Sequence, residues 1–282
     1  MKNPYYIDEP CGLSFSGGRT SAYMLYKTID AHDGKLPKNL TVSFCNTGKE
    51  MPETLDFVKK CGDEWGVDIR WIEIAKATVI QMEPKKKIKW EFKEVNRDTC
   101  SVNGEPFEIT CSAIGSLPGP VHRSCSGHMK QRLIMRLMLS EGYEKPWTQY
   151  VGIRADEERR AAKLNGRIND GAEIYLPLWL DGVTKEEVGN FWELNSFDLS
   201  LPNNDGVTDW GNCDLCFLKS KKKKISIIKQ RPDLADWWIG MEDKYGEFRR
   251  GEIGYRRLKE MATDNYEMDF GIDESIPCFC GD

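Results

Sequence analysis

The sequence lacks several features that would place the protein in a common class. No stretch approaches the roughly 20 apolar residues that cross a membrane, and the first ten residues lack the apolar core of a signal peptide. The 282 residues carry a net charge of −5, which argues against a protein that coats nucleic acid over its whole surface. We therefore expect a cytoplasmic protein without a membrane partner, whose ten cysteines are thiols or ligands rather than disulfides.

Two common nucleotide-binding motifs are also missing. There is neither a Gly-x-x-x-x-Gly-Lys-Ser/Thr run nor a Gly-x-Gly-x-x-Gly run. The chain has instead a Ser-Gly-Gly turn at Ser16, between an apolar stretch from Cys11 and a helical pattern beyond Ala22. Its glycines let a ligand approach the backbone, and Thr20 and Ser21 offer hydroxyls beside unpaired helix N–H groups. This arrangement predicts a phosphate-binding turn.

Strand and helix patterns alternate after this turn. Leu40 to Cys45 predicts a strand, Pro52 opens a helix through about Trp65, and Val67 to Ile74 predicts the next strand. Further strands are predicted at Thr148 to Ile153 and Ala172 to Leu180. We expect an α/β fold with a mostly parallel, twisted sheet between helices, in which ligands bind beyond the carboxyl ends of the strands.

The chain divides into two regions by composition. Residues 1–182 are predicted to form the α/β domain, with an irregular insertion at about 84–121 that we interpret as a solvated or lid-like loop. Residues 183–282 are predicted to be helical and cysteine-bearing, and a capping box at Thr184 to Glu187 marks the first helix there. Two basic segments, Lys85 to Lys93 and Lys219 to Lys224, are candidates for nucleic-acid contact.

Six motifs, in the same order along the chain, resemble those of the PP-loop superfamily, in particular the PAPS reductase-like proteins. They lie at Ser16 to Ser21, Asn46 to Thr54, Arg123 to Lys130, Gly152 to Arg160, Pro177 to Val188 and Cys213 to Cys216. Asn46 stands where an Asp is common. The resemblance implies a three-layer α/β/α sandwich that binds an adenine nucleotide, namely PAPS, APS or ATP. The implied nucleotide-binding residues are Ser14, Ser16, Gly17, Gly18, Arg19, Thr20, Ser21, Asn46, Thr47, Gly48 and Gly152.

The activity that this resemblance implies first is sulfonucleotide reduction. Arg154 and Arg160 would neutralise charge at the breaking bond, and a Cys280 thiolate would attack sulfur, with a thioredoxin-like or other electron donor and possibly a homodimer. An alternative is an ATP-dependent iron–sulfur sulfurtransferase that modifies DNA or tRNA. A further alternative is a non-catalytic protein that sequesters a nucleotide.

Five cysteines could form a metal centre, and the sequence does not decide between three interpretations. Cys213 and Cys216 form a Cys-x-x-Cys pair, Cys278 and Cys280 form a second close pair, and Cys125 precedes a predicted helix. A 4Fe-4S cluster could use Cys125, Cys213, Cys216 and one of the terminal pair. A structural zinc could use Cys213, Cys216, Cys278 and Cys280. In a third interpretation the terminal pair is free and reactive.

Overall fold

A seven-stranded sheet forms the centre of the computed structural model, which describes residues 3–81, 87–203, 208–211 and 213–264. The strands are β1 (Cys11–Ser14), β2 (Leu40–Cys45), β3 (Ile69–Ile80), β4 (Lys87–Val95), β5 (Trp147–Tyr150), β6 (Ile168–Asn169) and β7 (Ala172–Tyr175). Their order is β4-β3-β2-β1-β5-β7-β6, and the five central strands are parallel while β4 and β6 pair antiparallel at the edges. The predicted mostly parallel sheet is confirmed.

Helices cover the sheet and continue the chain beyond it. They are α1 (Arg19–Asp30), α2 (Pro52–Trp65), α3 (Glu105–Ile114), α4 (Ser124–Ser126), α5 (Arg132–Ser140), α6 (Glu158–Leu164), α7 (Pro177–Leu180), α8 (Lys185–Leu194), α9 (Lys221–Gln230), α10 (Leu234–Tyr245) and α11 (Tyr255–Thr263). A π-helical turn, Gly127–Gln131, joins α4 to α5, and a 3₁₀ turn, Ala155–Glu157, precedes α6. No helix in these described ranges is long and apolar enough to span a membrane.

Local signals account for several helix ends. Pro52 occupies the first turn of α2, where its missing N–H costs no hydrogen bond, and Gly66 ends the helix at a φ of 61°. The hydroxyl of Thr184 accepts a hydrogen bond from the Glu187 N–H, so Thr184 is the N-cap of α8, at the helix start that the sequence predicted.

Two expectations from the sequence need correction. The region predicted as an irregular insertion contains β4, which forms a hairpin with β3, and helix α3. The strand predicted to run from Ala172 to Leu180 ends at Tyr175, because Pro177 opens α7 instead.

The sheet places a crevice next to β1. Helix α1 leads from β1 to β2 on one side, whereas β5 pairs with the other side of β1. The connections therefore diverge at the carboxyl ends of β1 and β5, which is the topological switch point where α/β sheets bind ligands. Buried side chains of α1, α8 and α10 belong to one apolar core. The division of the chain at residue 182 stays a prediction.

Candidate functional site

Two cavities lie at the switch point, and Ser16 lines both. The first, which we name the cationic groove, has a volume of about 690 Å³. Its walls include Ser16, Gly17, Gly18, Arg19, Thr20, Thr54, Arg154, Lys185, Glu186, Glu193, Leu199, Leu201 and Lys223. The second, the apolar pocket, is smaller, about 110 Å³, and includes Ser14, Ser43, Cys45, Ser126, Lys130, Gln131, Ile134, Trp147, Gln149, Gly152 and Ile174. A ligand with an anionic end and a flat apolar end fits such a pair.

The glycine turn at the start of α1 is shaped for close approach. Gly17 has a φ of 82°, and a Cβ added there would lie 2.7 Å from the Thr54 methyl carbon. The Ser21 hydroxyl accepts from the Ser16 N–H at 3.1 Å and donates to the Gly18 carbonyl at 3.0 Å, so Ser21 holds the turn closed. The N-terminus of α1, with its unpaired N–H groups, therefore forms one wall of the cationic groove.

Four cationic side chains line the groove. Arg154 donates from Nη1 to the Thr20 hydroxyl at 3.0 Å, which places its guanidinium against the glycine turn. Asp156 accepts from Arg154 Nε at 3.0 Å and holds the other edge. Arg19, Lys185 and Lys223 supply the remaining positive charge. Glu186 and Glu193 also line the groove, and Arg19, Arg154 and Lys223 each pair with a carboxylate of the protein. The excess of cations beside a helix N-terminus is typical of a site for an anion.

Three buried hydroxyls in these two cavities have no hydrogen-bond partner among the described residues. They belong to Thr54, which is 4% exposed and lines the cationic groove, and to Ser43 and Ser126, which are 2% and 5% exposed and line the apolar pocket. An unpaired buried hydroxyl costs about 1–3 kcal/mol. Each of these three residues therefore lines one of the two cavities and has a hydroxyl without a hydrogen-bond partner among the described residues.

The apolar pocket is built where β1, β2 and β5 end. Gln149 accepts from the Trp147 indole at 3.0 Å and donates to the Ser14 hydroxyl at 3.1 Å, so these polar groups are fixed in the wall. A Cβ on Gly152 would lie 3.3 Å from the Ser21 backbone, so the strand end and the glycine turn pack closely. The π-helical turn Gly127–Gln131 supplies Lys130 and Gln131 to the wall. Such turns are frequent at functional sites.

The segment Asn46–Gly48 is engaged by the protein itself. Asn46 donates to Glu73 at 2.5 Å and to the Ser101 carbonyl at 2.9 Å, and it accepts from the Gly48 N–H at 3.1 Å. Thr47 donates from both its N–H and its hydroxyl to Glu50. These bonds favour a structural role over the nucleotide contact that the motif implied. Glu73, which is fully buried, was missed because an isolated Glu in a strand carries no sequence signal.

The Cys-x-x-Cys turn packs against this same segment. Glu50 and Cys213 form an antiparallel bridge, and the Cys213 sulfur lies 3.4 Å from the Thr47 hydroxyl. Burial raises the pKa of the Cys213 thiol well above its usual value, and the charges of Glu50 and Cys216 add to the shift. Lys49 and Asp214 close the contact with a buried ion pair at 2.9 Å.

The described ranges do not complete a metal site. Within them no three His, Cys, Asp or Glu side chains come together as a metal-binding group. Cys213 and Cys216 lie on one turn, while Cys125 contributes to the electrostatic environment of Cys111. Cys278 and Cys280 lie outside the described residues. The predicted cluster, zinc site and reactive thiol stay predictions.

Two other predicted functional residues differ in their surroundings. Arg154 lines the cationic groove, whereas Arg160 forms an ion pair with Glu157 and, among the described residues, is not part of either cavity wall. Glu157 in turn accepts from the Arg154 N–H at 3.1 Å. Glu157 therefore links Arg160 to Arg154.

The basic run from Lys219 to Lys224 is not a continuous exposed surface. Lys219 is buried and donates to the carbonyls of Asp209 and Gly211. Lys224 is also buried, and desolvation lowers its pKa to about 8. Lys223 lines the cationic groove. Three of these lysines are therefore buried or face a cavity, which weakens the prediction that the segment contacts nucleic acid.

Comparisons with known proteins complete the description. No family model matches the chain. A protein of Escherichia phage lambda, described as the uncharacterized nin region protein ORF290, is 28% identical over 218 residues, which span 75% of this chain and 67% of that protein. The solved structure of the U34-tRNA thiolase NcsA from Methanococcus maripaludis, with its 4Fe-4S cluster, is 14% identical, with 99% of this chain and 82% of that chain covered and a TM-score of 0.42. The two cavities therefore carry the functional argument.

Proposed function

We propose that the protein is a PP-loop enzyme that binds an adenylyl nucleotide across Ser16. The phosphates lie in the cationic groove and the nucleoside lies in the apolar pocket. The observation that carries this proposal is the set of three unpartnered buried hydroxyls, one in the groove and two in the pocket. A nucleotide supplies partners of both kinds, since its phosphate oxygens accept from Thr54 and its base and ribose bond to Ser43 and Ser126.

The distribution of charge favours ATP as the nucleotide. Arg19, Arg154, Lys185 and Lys223 all line the groove to which the proposal assigns the phosphates, and Glu186 and Glu193 line it as well. ATP concentrates its negative charge at its 5′ end, whereas PAPS divides its charge between a 5′-phosphosulfate and a 3′-phosphate. A groove with four cations is therefore matched better by a triphosphate.

The chemistry that this placement supports is activation of an acceptor by adenylyl transfer. An oxygen of the acceptor attacks the α-phosphorus, the bond to the bridging oxygen of the β-phosphate breaks, and pyrophosphate leaves with the electron pair. Arg154 and the N–H groups of α1 stabilise the charge that develops on the phosphoryl oxygens. A sulfur nucleophile then displaces AMP from the activated acceptor, which makes the enzyme a sulfurtransferase of nucleic acid or of a small acceptor.

A second candidate is sulfonucleotide reduction. Gly152 and Arg154 lie against the glycine turn, which is the arrangement that the PAPS reductase motifs imply. In that reaction the Cys280 thiolate attacks sulfur, a sulfur–sulfur bond forms, the sulfur–oxygen bond breaks and the nucleotide leaves. A dithiol donor then reduces the S-sulfocysteine and releases sulfite.

The test is calorimetric titration of the purified chain with ATP, PAPS and adenosine. We expect ATP to bind, adenosine to bind more weakly, and Arg154→Gln to weaken ATP binding about tenfold or more, as expected for loss of a charged hydrogen bond. Arg159→Gln is the matched control, because Arg159 is the exposed neighbour on α6. It should leave the affinity unchanged.

Each outcome of the titration has a defined meaning. Binding of PAPS with no binding of ATP would favour sulfonucleotide reduction and would be followed by an assay for sulfite. Failure of every adenine nucleotide to bind would overturn the proposal. Binding of ATP without release of pyrophosphate in the presence of acceptors would support a nucleotide-sequestering protein instead.

A further inference from the structure

We infer that Asp198 is a positioning residue that holds Arg19 in the anion site. Arg19 is the first residue of α1 and lines the cationic groove, and its side chain is 19% exposed. Arg19 Nε donates to Asp198 Oδ1 at 2.8 Å, and Nη2 donates to Asp198 Oδ2 in a second bond. The carboxylate therefore grips one edge of the guanidinium in a bidentate pair.

Asp198 is itself fixed in place. The Leu199 N–H donates to Asp198 Oδ1 at 2.6 Å, and the following Leu199 and Leu201 are 6% and 3% exposed and line the groove. On the other side of Asp198, Phe197 packs against Trp192 with ring centroids 5.7 Å apart. The half-buried Phe197 on one side and the buried Leu199 on the other restrain the backbone of Asp198, whose side chain is 33% exposed.

The backbone of Arg19 is held from the same direction. The Trp192 indole, on α8, donates to the Arg19 carbonyl at 3.1 Å. Both ends of Arg19 are therefore tied to the segment that includes α8 and the residues directly after it. This segment supplies a second layer of support for the glycine turn, although it lies far from the turn in sequence.

The other edge of the guanidinium remains available for a ligand. Arginine has five N–H donors in a planar fork, and Asp198 uses those at Nε and one at Nη2. Within the described residues, Arg19 Nη1 has no hydrogen-bond partner in the protein. Because two edges of one guanidinium can bind two oxyanions at once, Asp198 need not compete with the ligand.

The physical benefit is preorganisation. A flexible arginine loses side-chain entropy when a ligand immobilises it. The ion pair with Asp198 orders the Arg19 side chain when the protein folds. The anion therefore binds a guanidinium that is already in position. This inference rests on the proposed function for the identity of the nucleotide, but it concerns the anion alone and is tested with inorganic pyrophosphate.

The experiment is a double-mutant cycle on pyrophosphate binding, with wild type, Arg19→Ala, Asp198→Asn and the double variant. We expect Arg19→Ala to weaken binding about tenfold in the wild-type background, as for one charge-assisted hydrogen bond, but less than about threefold in the Asp198→Asn background. The test is the coupling between Arg19 and Asp198, not the effect of Asp198→Asn alone. Removing a carboxylate also reduces the repulsion of any anion, so Asp198→Asn by itself is not diagnostic.

Asp233→Asn is the matched control. Asp233 grips the exposed Arg231 in the same bidentate way, at 3.0 and 2.7 Å. In the Asp233→Asn background, Arg19→Ala should still weaken pyrophosphate binding about tenfold.

Three results would overturn the inference. An equal loss on removing Arg19 in both backgrounds means that Arg19 needs no support from Asp198. A larger loss in the Asp198→Asn background means that Asp198 competes with the ligand. No pyrophosphate binding by wild type, or no effect of Arg19→Ala, means that Arg19 does not hold an anion. If the coupling appears but ATP binds no more tightly than pyrophosphate, the positioning role stands and the adenylyl assignment fails.

Discussion

At the scale of single residues, removal of the Thr54 hydroxyl should have opposite effects on stability and on ligand binding. Thr54 is buried in the cationic groove without a partner among the described residues, so it costs the free protein energy. Thr54→Val should therefore raise the free energy of unfolding by about 1 kcal/mol and weaken ATP binding about tenfold. Urea unfolding and calorimetry measure the two effects.

Thr110→Val is the matched control for this prediction. Thr110 is equally buried, but its hydroxyl donates to the Pro106 carbonyl at 2.8 Å. Its removal should lower stability slightly and leave ATP binding unchanged. A Thr54→Val protein that is less stable and binds ATP normally would show that the Thr54 hydroxyl does not bond to the nucleotide.

His128 makes stability depend on pH. Its ring lies against Trp90 in a tilted arrangement with centroids 4.5 Å apart, and partial burial together with the nearby Arg132 charge lowers its pKa to about 4. The unfolded chain binds this proton near pH 6.5, so between about pH 6.5 and 4 it binds more protons than the folded chain. Stability should fall as the pH falls through this window, by at most about 1.4 kcal/mol per pH unit.

His128→Gln tests this dependence, because it removes the titrating group. The pH profile of the unfolding midpoint should become flatter between pH 6.5 and 4 in the variant. A variant with the same slope as wild type would assign the pH dependence to other groups.

At the scale of elements, the Lys49–Asp214 ion pair joins the β2–α2 loop to the Cys-x-x-Cys turn. Both side chains are buried, at 7% and 5% exposure, and Lys49 also lies over the Trp237 ring. Lys49→Met leaves the Asp214 carboxylate buried without its cation, and should destabilise the protein by about 3–5 kcal/mol. Chemical denaturation measures this loss.

Two further variants show whether the stability loss in Lys49→Met comes from the buried, unpaired charge. Replacing both partners, as Lys49→Met with Asp214→Leu, should recover much of the stability, because no uncompensated charge remains. Lys59→Met is the control, since the Lys59–Asp63 pair on α2 is more than half exposed and should contribute less than about 0.5 kcal/mol. Equal losses in both single variants would mean that burial of the Lys49–Asp214 pair is unimportant.

At the scale of the whole molecule, the open question is whether the C-terminal cysteines close around a metal. We expect protein purified without oxygen to contain iron and acid-labile sulfide in equal amounts, and Cys213→Ser to lose both, because a 4Fe-4S cluster is held by four thiolates and Cys213 is one of the predicted ligands. One zinc without sulfide would indicate a structural site. Absence of both metals would leave Cys278 and Cys280 as free thiols.

Local signals predicted much of the fold and part of the site. The glycine turn, the start of α2 at Pro52 and the N-cap at Thr184 depend on neighbouring residues, so they could be recognised without a structure. Helix α3 was missed because the glycine, proline and serine residues around Glu105–Ile114 obscured its periodicity, although Glu105, Glu108 and Ser112 form an exposed polar face. The strand β4 was missed because lysines dominate its exposed positions.

The sequence by itself determined where a phosphate could bind. Gly17 permits a positive φ that other residues rarely adopt, and the following helix N-terminus presents its N–H groups whatever the rest of the chain does. Only the tertiary structure decided what surrounds that turn. It brought Asp198 to Arg19 across 179 residues, paired Asn46 with Glu73, and buried Lys219 and Lys224. Such contacts depend on the path of the chain, because the charge of a residue does not specify its partner.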